Sequence, residues 1–189
     1  MAETMSKRDQ LVEIASRLFY EQGYHATGIK QIIEEAGIAK GTFYSHFDSK
    51  EALGLAWLRE RHKFWNAWRD EYLGDAGMSP RDRLLGAFDF LSEWMQTCDF
   101  RGCAFLNTMA ETPDDDSPLR KEIQEHKQGF REYLQGLVAE CFPHASEEQK
   151  RQKGDAVFLL FEAALIEAQN FRQTWPIEAG KRQVEAILS

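Results

Sequence analysis

The sequence predicts an all-α protein of about nine helices, and three observations lead to this fold class. Apolar residues recur three and four positions apart along the chain, as they do on one face of a helix. No segment shows the sustained apolar–polar alternation of a half-buried strand. Ser-Pro pairs at 79–80 and 117–118 place a capping serine directly before a first-turn proline, an order that is favoured where helices begin.

Each predicted helix has a start or stop signal. The third helix is expected to be short, at about 39–45, and the sixth to run from about Cys103 to Glu111. The eighth is expected to reach about Arg172, before a short final helix. The signals are capping residues, glycines and prolines, and in chain order they are Gly23, Thr27, Gly37, Asp48 or Ser49, Ser79-Pro80, Pro113, Ser117-Pro118, Pro143, Ser146 with Gln149, and Trp175-Pro176.

A break between Gly74 and Met78 divides the chain into two predicted domains. Residues 6–66 are expected to form an N-terminal domain built on three helices. Residues 75–189 are expected to form a larger helical domain. No internal repeat or low-complexity segment interrupts this organisation.

Composition favours an ordinary globular protein. Hydrophobic residues make up 43% of the chain and charged residues 29%. No apolar run approaches the roughly 20 residues that cross a bilayer, and the polar N-terminus lacks the apolar stretch of a signal peptide. The three cysteines are irregularly spaced, which argues against a disulfide framework and a zinc site. We therefore expect a cytoplasmic protein with reduced thiols and no cofactor.

Bulk charge does not favour a nucleic-acid partner. The net charge is −8, and residues 1–63 hold nine Lys and Arg against nine Asp and Glu. The rest of the chain therefore carries the whole negative balance. A DNA-binding function has to depend on where the cations of the N-terminal domain lie, because their number gives no net attraction.

Residues 27–46 have the pattern of a helix, a glycine turn and a second, short helix. In a helix-turn-helix, the second helix lays its first residues along base edges in the major groove. This position requires small or polar residues in front and an apolar inner side. The inner side here is Ile38, Phe43 and Phe47. The exposed front consists of Ala39, Lys40, Gly41, Thr42, Tyr44 and Ser45, with His46 behind them.

Groups around this short helix can hold DNA phosphates. Free backbone N–H groups at the start of a helix bind anions, and lysines nearby add charge. Such contacts position a protein on DNA and leave the bases to the short helix. For single residues a plainer alternative stays open, in which Tyr44 and His46 only pack or face solvent at a helix end. The expected phosphate contacts are Thr27, Gly28, Lys30, Lys50, and Lys7 or Arg8.

Residues 7–50, KRDQLVEIASRLFYEQGYHATGIKQIIEEAGIAKGTFYSHFDSK, resemble the N-terminal domain of the TetR family of regulators. The most specific part is the run GTFYSHF at 41–47, followed by Lys50-Glu51. Three positions depart from the family's pattern. Gly28 stands where a hydroxyl residue is usual, Ala39 where serine is common, and Ile33 where a small alanine is common. The first two departures remove side chains that can contact phosphate.

This resemblance implies a ligand-responsive repressor that binds double-stranded DNA as a homodimer. Its two recognition helices would enter major grooves one turn, roughly 34–36 Å, or a multiple apart. A small-molecule effector would bind the C-terminal domain, change the separation of the DNA-binding domains and release the operator. Helices at about 117–141 and 147–172 are expected to form the dimer, because residues 157–168 are apolar on nearly all sides. A central core helix in a monomer is the alternative.

Cys103 is a candidate sensor. It follows Arg101 at the start of a predicted helix, where helix N–H groups and a cation both favour a thiolate. The run RGCAFLNTMAE also resembles one in a TetR subgroup that includes sensors of acrylate and reactive electrophiles. Cysteines are commonly buried, however, and the sequence favours a structural residue that seats the helix.

The effector pocket is expected between helices of the C-terminal domain. Aromatic residues at helical spacing are more often plain core, so a packing role is the alternative for each. The triple Asp114–Asp116 lacks the spacing and glycine of a calcium loop, and we expect no metal site. Candidate pocket residues are Trp65, Trp68, Phe88, Trp94, Cys103, Phe105, Met109 and Phe161.

An all-α enzyme or thiol redox protein that uses Cys103 is the main competing function. The sequence contains no CxxC, no HExxH, no phosphate-binding glycine loop and no serine elbow, and no histidine lies near Cys103. A helical interaction scaffold is a third class, but it leaves the pattern at 39–50 unexplained. We therefore expect a regulator and no enzymatic activity.

Overall fold

In the computed structural model, the described residues, 5–74 and 77–189, form nine α-helices and no strand. The all-α prediction is confirmed. None of these helices is both long enough and apolar enough to span a membrane. In chain order the helices are α1 Lys7–Gln22, α2 Ile29–Ala36, α3 Lys40–Tyr44, α4 Lys50–Leu73, α5 Pro80–Thr97, α6 Ala104–Glu111, α7 Pro118–Cys141, α8 Glu147–Phe171 and α9 Trp175–Ile187.

Serine side chains begin several helices where the sequence predicted them. Ser49, Ser79 and Ser146 each accept a hydrogen bond from the backbone N–H three residues further on, at 3.0, 3.1 and 3.3 Å. At Ser146 the capping box is complete, because the side chain of Gln149 accepts the Ser146 backbone N–H at 2.9 Å. These bonds satisfy N–H groups that have no partner inside the helix.

The prediction that Thr27 caps α2 is wrong. The N-cap residue is Gly28, and no side chain bonds there. Thr27 is fully buried, and its hydroxyl donates to the carbonyl of Gly23 at 2.8 Å and contacts that of Leu18 at 3.2 Å. The hydroxyl points back to the end of α1, because acceptors in the preceding turn lie within its reach. Thr27 therefore fixes the turn between α1 and α2.

The residues group into two compact units, and each unit is made of two separate stretches of the chain. The first unit consists of residues up to Lys63 together with Ala104–Gln124, and the second consists of Phe64–Cys103 together with Glu125–Ser189. Helix α6 and the first turns of α7 thus belong with α1–α3, although the sequence assigned them to the domain at 75–189. A local pattern cannot reveal this grouping, because it depends on contacts between residues far apart in the chain.

The core of the first unit lies beneath the short helices. Phe43 is fully buried and Phe47 nearly so, as the sequence predicted. Phe19 packs against Trp57 and Tyr24, with ring centroids 5.3 and 5.1 Å apart. Aliphatic side chains from α1, α2 and α4 complete this core, and the fully buried or nearly buried ones are Leu11, Ala15, Leu18, Ile32, Leu53 and Leu58.

The core of the second unit is centred on α5, α8 and α9, which pack against one another. Phe161 of α8 is buried and contacts Phe88 and Phe130, with centroids 5.5 and 4.8 Å apart. Large rings at these positions bury much of the apolar area that stabilises the unit. Aliphatic residues surround them, and those buried most deeply are Leu84, Leu91, Met95, Leu134, Val138, Val157 and Val184.

The capping box gives a prediction about stability. Replacing Ser146 with Ala removes the acceptor for the Gln149 N–H, and we expect the free energy of unfolding to fall by about 0.5–2 kcal/mol. Urea unfolding at one fixed protein concentration measures this change. Ser92→Ala in the middle of α5 is the matched control and should change the free energy by less than about 0.5 kcal/mol. Equal effects of the two substitutions would contradict the capping role.

Candidate nucleic-acid interface and sensor site

Helix α3 presents its predicted front to solvent. Tyr44 is 44% exposed, and the Lys40 ammonium lies 5.8 Å from the centre of its ring. Beneath them Phe43 and Phe47 are buried. One face of the helix is therefore anchored and the other is open. The open residues are Ala39, Lys40, Gly41, Tyr44, Ser45 and His46, with Thr42 half-buried beside them.

Short-range bonds hold α3 in position after α2. Gly37 adopts a left-handed conformation with φ 62°, which allows the sharp turn and is strained for residues with a side chain. Its N–H bonds to Glu34, and the next N–H, from Ile38, bonds to Ile33. At the other end of α3 the Ser45 hydroxyl donates to the Thr42 carbonyl at 2.8 Å. The geometry between the two helices is thus fixed by the backbone.

At the start of α2, some of the groups predicted to bind phosphate are exposed and one is buried. Gly28 is exposed, and the first N–H groups of α2 lack helical partners. The side chain of Lys30 is 89% exposed, 3.6 Å from Glu34. Thr27, which the sequence also predicted as a phosphate contact, is buried, and its N–H donates to the Gly23 carbonyl at 3.3 Å. Any phosphate at the start of α2 would therefore contact Gly28 and the residues after it, and not Thr27.

Lys50 has internal partners that the sequence did not reveal. Its Nζ donates to the His25 carbonyl at 3.1 Å and lies 4.5 Å above the ring of Tyr24. Burial lowers the pKa of Lys50, while the nearby Glu111 carboxylate acts in the opposite direction. The backbone N–H of His25 donates to that same carboxylate. Glu111 lies 86 residues from His25 in the chain, and no local signal in the sequence points to it.

The predicted effector residues fall into two groups. In the second unit, Trp65 contacts Trp68 and Trp94, with ring centroids 6.3 and 5.4 Å apart. Phe88 and Phe161 contact each other in the core. Phe105 and Met109 belong instead to the first unit. The candidates are thus divided between the two units, and Phe88 and Phe161 are fully buried.

Aromatic residues that the sequence reasoning left out complete the cluster around Trp65. The Trp65 ring lies 5.0 Å from that of Phe90, 6.1 Å from that of Phe130 and 6.3 Å from that of His126. The indole Nε1 of Trp65 is buried, and within the described residues no hydrogen-bond partner faces it. A buried donor of this kind costs free energy unless an acceptor reaches it.

Cys103 is buried beside a lysine. Lys127 of α7 donates to both carboxylate oxygens of Glu162 in α8, at 2.9 and 2.7 Å, and lies near enough to Cys103 for the thiol to act on its charge. Burial acts against the ammonium, but Cys103 and Glu162 together raise the pKa of Lys127 above its ordinary value. The sequence pointed to Arg101 as the cation for this cysteine. Lys127 lies 24 residues further on, where only the fold reveals it.

An apolar row runs along the outside of α8. Leu159 is 63% exposed and Ile166 is 47% exposed, with the small residue Ala163 between them. Leu159, Ala163 and Ile166 are four and three residues apart, a spacing typical of a helix that packs against another helix. Helix α9 adds the exposed Trp175 next to this row. From residue 121 onwards the exposed residues of α7 are polar or glycine, namely Lys121, Gln124, Glu125, Gln128, Gly129, Glu132, Gly136 and Glu140.

No group of three or more His, Cys, Asp and Glu side chains within the described parts of the chain is arranged to hold a metal ion. The acidic run at 114–116 instead serves the turn before α7. Asp114 accepts the Asp116 N–H at 3.0 Å, and Asp115 lies 3.4 Å from Arg120.

Two family models match the chain. Residues 11–56 match the model described as bacterial regulatory proteins of the tetR family. Residues 80–177 match the model described as a tetracyclin repressor-like C-terminal domain. The second match alone spans more than half of the chain.

Curated relatives align over most or part of the chain. The transcriptional repressor NemR of Escherichia coli strain K12 is 24% identical over 188 residues, which cover 96% of this chain and 94% of NemR. The transcriptional repressor DhaR of Mycobacterium sp. strain GP1 is 34% identical over 116 residues, which cover 61% of this chain and 57% of DhaR.

Solved structures share the fold. SCO4454, a TetR-family transcriptional regulator from Streptomyces coelicolor, superposes with a TM-score of 0.87 at 27% identity, covering 98% of this chain and 90% of that one. The reduced form of E. coli NemR superposes with a TM-score of 0.81 at 22% identity, covering 97% and 98% of the two chains.

Proposed function

Because this chain belongs to the TetR family of ligand-responsive, DNA-binding transcriptional repressors, we propose that α3 of each subunit is the recognition helix for an operator. The observation that carries this proposal is the division of α3 into a buried anchor, Phe43, and an open front that includes Lys40 and Tyr44. Such a helix can enter the major groove without exposing its core. The protein acts in the cytoplasm as a regulator and catalyses no reaction.

Substitutions on the front of α3 test this assignment. A duplex selected from a random pool by the wild-type protein serves as the operator, and fluorescence anisotropy measures its affinity. We expect Lys40→Ala and Tyr44→Ala each to weaken binding about tenfold, the effect of a lost contact worth 1–3 kcal/mol. The exposed Lys121→Ala is the matched control for charge and should change affinity less than twofold. Wild-type affinity in both α3 variants would refute the placement of the recognition helix.

Members of this family act as dimers, and we infer that α8 and α9 form the dimer surface. The apolar row of α8, with Leu159 and Ile166 exposed and Trp175 of α9 beside it, supports this. The sequence reasoning proposed α7 as the partner of α8. The polar exposed face of α7 favours α9 in that role, because helix pairs associate through apolar faces.

A charge placed on each surface distinguishes the two arrangements. Leu159→Glu and Ile166→Glu would bury a carboxylate if α8 lies in the dimer, so we expect each variant to sediment as a monomer at micromolar concentration. The matched control, Gln128→Glu on the exposed face of α7, should remain dimeric. A monomeric Q128E together with monomeric α8 variants would restore the pair of α7 and α8 as the interface, and dimers in both α8 variants would refute the placement of α8 in it.

A second mode of effector action is supported by the proximity of Lys127 to the buried thiol of Cys103, which contributes to the raised pKa of Lys127. A cation beside a thiol promotes its reaction with soft electrophiles. In such a reaction the sulfur bonds to the activated carbon of a C=C bond, and a proton is added to the neighbouring carbon. We propose that modification of Cys103 releases the operator, in addition to any reversibly bound effector.

Alkylation in a Cys98→Ser/Cys141→Ser background isolates Cys103. We expect N-ethylmaleimide to modify Cys103 at least tenfold faster than it modifies an unfolded peptide with the same sequence, and to abolish operator binding when the reaction is complete. The variant that also carries Cys103→Ser should keep its affinity under the same treatment. A slow reaction at neutral pH, or full operator affinity after modification, would rule out this mode while leaving DNA binding intact.

A further inference from the structure

Two opposite charges flank a single residue in the turn between α1 and α2. The backbone N–H of His25 donates to the carboxylate of Glu111, and its carbonyl accepts from the ammonium of Lys50 at 3.1 Å. Glu111 is the last residue of α6, and Lys50 is the first of α4. The turn leads directly to Gly28, the exposed N-cap of α2. An anion supplied by α6 thus lies beside groups that were predicted to bind DNA phosphates.

The close approach of Glu111 depends on a glycine. Gly23 has a φ of 102°, and a Cβ built there would lie 2.9 Å from one Glu111 carboxylate oxygen. The carboxylate also stands at the C-terminal end of its own helix, where the helix dipole disfavours a negative charge. Its stabilisation therefore has to come from outside α6. The His25 N–H and the charge of Lys50 supply it.

Two other groups near Lys50, Tyr24 and Glu51, do not act as its counter-charge. From the α1–α2 turn, Tyr24 offers the face of its ring, and burial together with Glu51 raises the pKa of Tyr24 to about 12, so the phenol is neutral near pH 7. From α4, Glu51 accepts a hydrogen bond from the Ser117 hydroxyl at 2.7 Å. The anion that acts on Lys50 is therefore the carboxylate from α6.

We propose that Glu111 is an internal anion that competes with a DNA phosphate for Lys50, so that α6 adjusts operator affinity through the position of one carboxylate. This inference rests on the proposed function, because it requires that Lys50 faces DNA. A lysine with a carboxylate nearby gains less from a phosphate than a lysine without one does. Withdrawal of Glu111 would add a phosphate contact, and its closer approach would remove one.

Glu111→Gln isolates the charge. The amide oxygen can still accept the His25 N–H, so the turn keeps its support while the competing charge is lost. We expect E111Q to bind duplex DNA about three- to tenfold more tightly at 100 mM salt. We also expect its plot of log affinity against log salt to steepen by about one, since each phosphate contact contributes roughly 0.9 to that slope. Glu111→Ala, which also loses the hydrogen bond, should show a faster amide exchange of His25.

Two further variants separate competition from a general charge effect. In a Lys50→Met background, the gain from E111Q should disappear, as a double-mutant cycle requires for two interacting residues. Asp115→Asn removes the same charge four residues away, next to Arg120, and should change affinity less than twofold. Circular dichroism and thermal unfolding identify any variant that fails to fold.

The measurements use the duplex selected by the wild-type protein and a scrambled duplex of equal length. Binding by the wild type with no gain in E111Q would overturn the competition and leave the proposed function standing. A gain that persists in the K50M background would overturn it as well, because the removed charge would then act on DNA as a whole. Failure of the wild-type protein to bind either duplex would refute the proposed function and the competition with it.

Discussion

The burial of Phe43 beneath α3 is the interaction on which the exposed front of this helix depends. A helix of five residues has no stability of its own in water, since too few hydrogen bonds offset the ordering of its backbone. It forms here because Phe43 is fully buried and Phe47 closes the core behind it. Lys40 and Tyr44 keep a fixed direction for the same reason. The chemistry of the exposed front can therefore vary without loss of the helix that presents it.

The distribution of charge along the chain limits how strongly the protein is attracted to DNA in general. Residues 1–63 are neutral and the remainder of the chain carries the net charge of −8, so a general attraction to DNA is small. In the proposed function, affinity comes from a few well-placed phosphate contacts and from base contacts of α3. A protein built this way binds weakly to sequences that lack its site, because the non-specific part of its affinity is low. The proposed competition by Glu111 depends on this background, because a single charge has a larger relative effect where the net charge is small.

Much of the fold could be predicted because its signals are local. Ser146 with Gln149 and Ser79 with its following proline mark helix starts within a few residues, and the structure has helices at those positions. The buried side of α3 followed in the same way from the spacing of Phe43 and Phe47. Thr27 was misread because a hydroxyl at a helix start has competing acceptors behind it, and only the three-dimensional turn decides between them.

The candidate sites were harder to predict because their chemistry joins distant parts of the chain. Lys127 and Glu162 meet beside Cys103 through the packing of α7 against α8, and no spacing rule connects these three residues. The same holds for Glu111 and His25. For the aromatic candidates the difficulty is different: core and pocket use the same residue types, so composition cannot tell a packing role of the buried Phe88 and Phe161 from a lining role.

The first unit is formed by two separate segments of the chain, which limits how a fragment of the protein can be designed. The chain leaves this unit after Lys63, returns at Ala104 and leaves again after Gln124. A fragment that ends near residue 66 would therefore lose the partners that α6 and α7 supply. Glu51 would lose the hydroxyl of Ser117, Arg59 would lose the carboxylate of Glu122 at 3.1 Å, and the His25 N–H would lose Glu111. The first unit is continuous in space and discontinuous in sequence, so a single segment that ends near residue 66 does not carry all of its contacts.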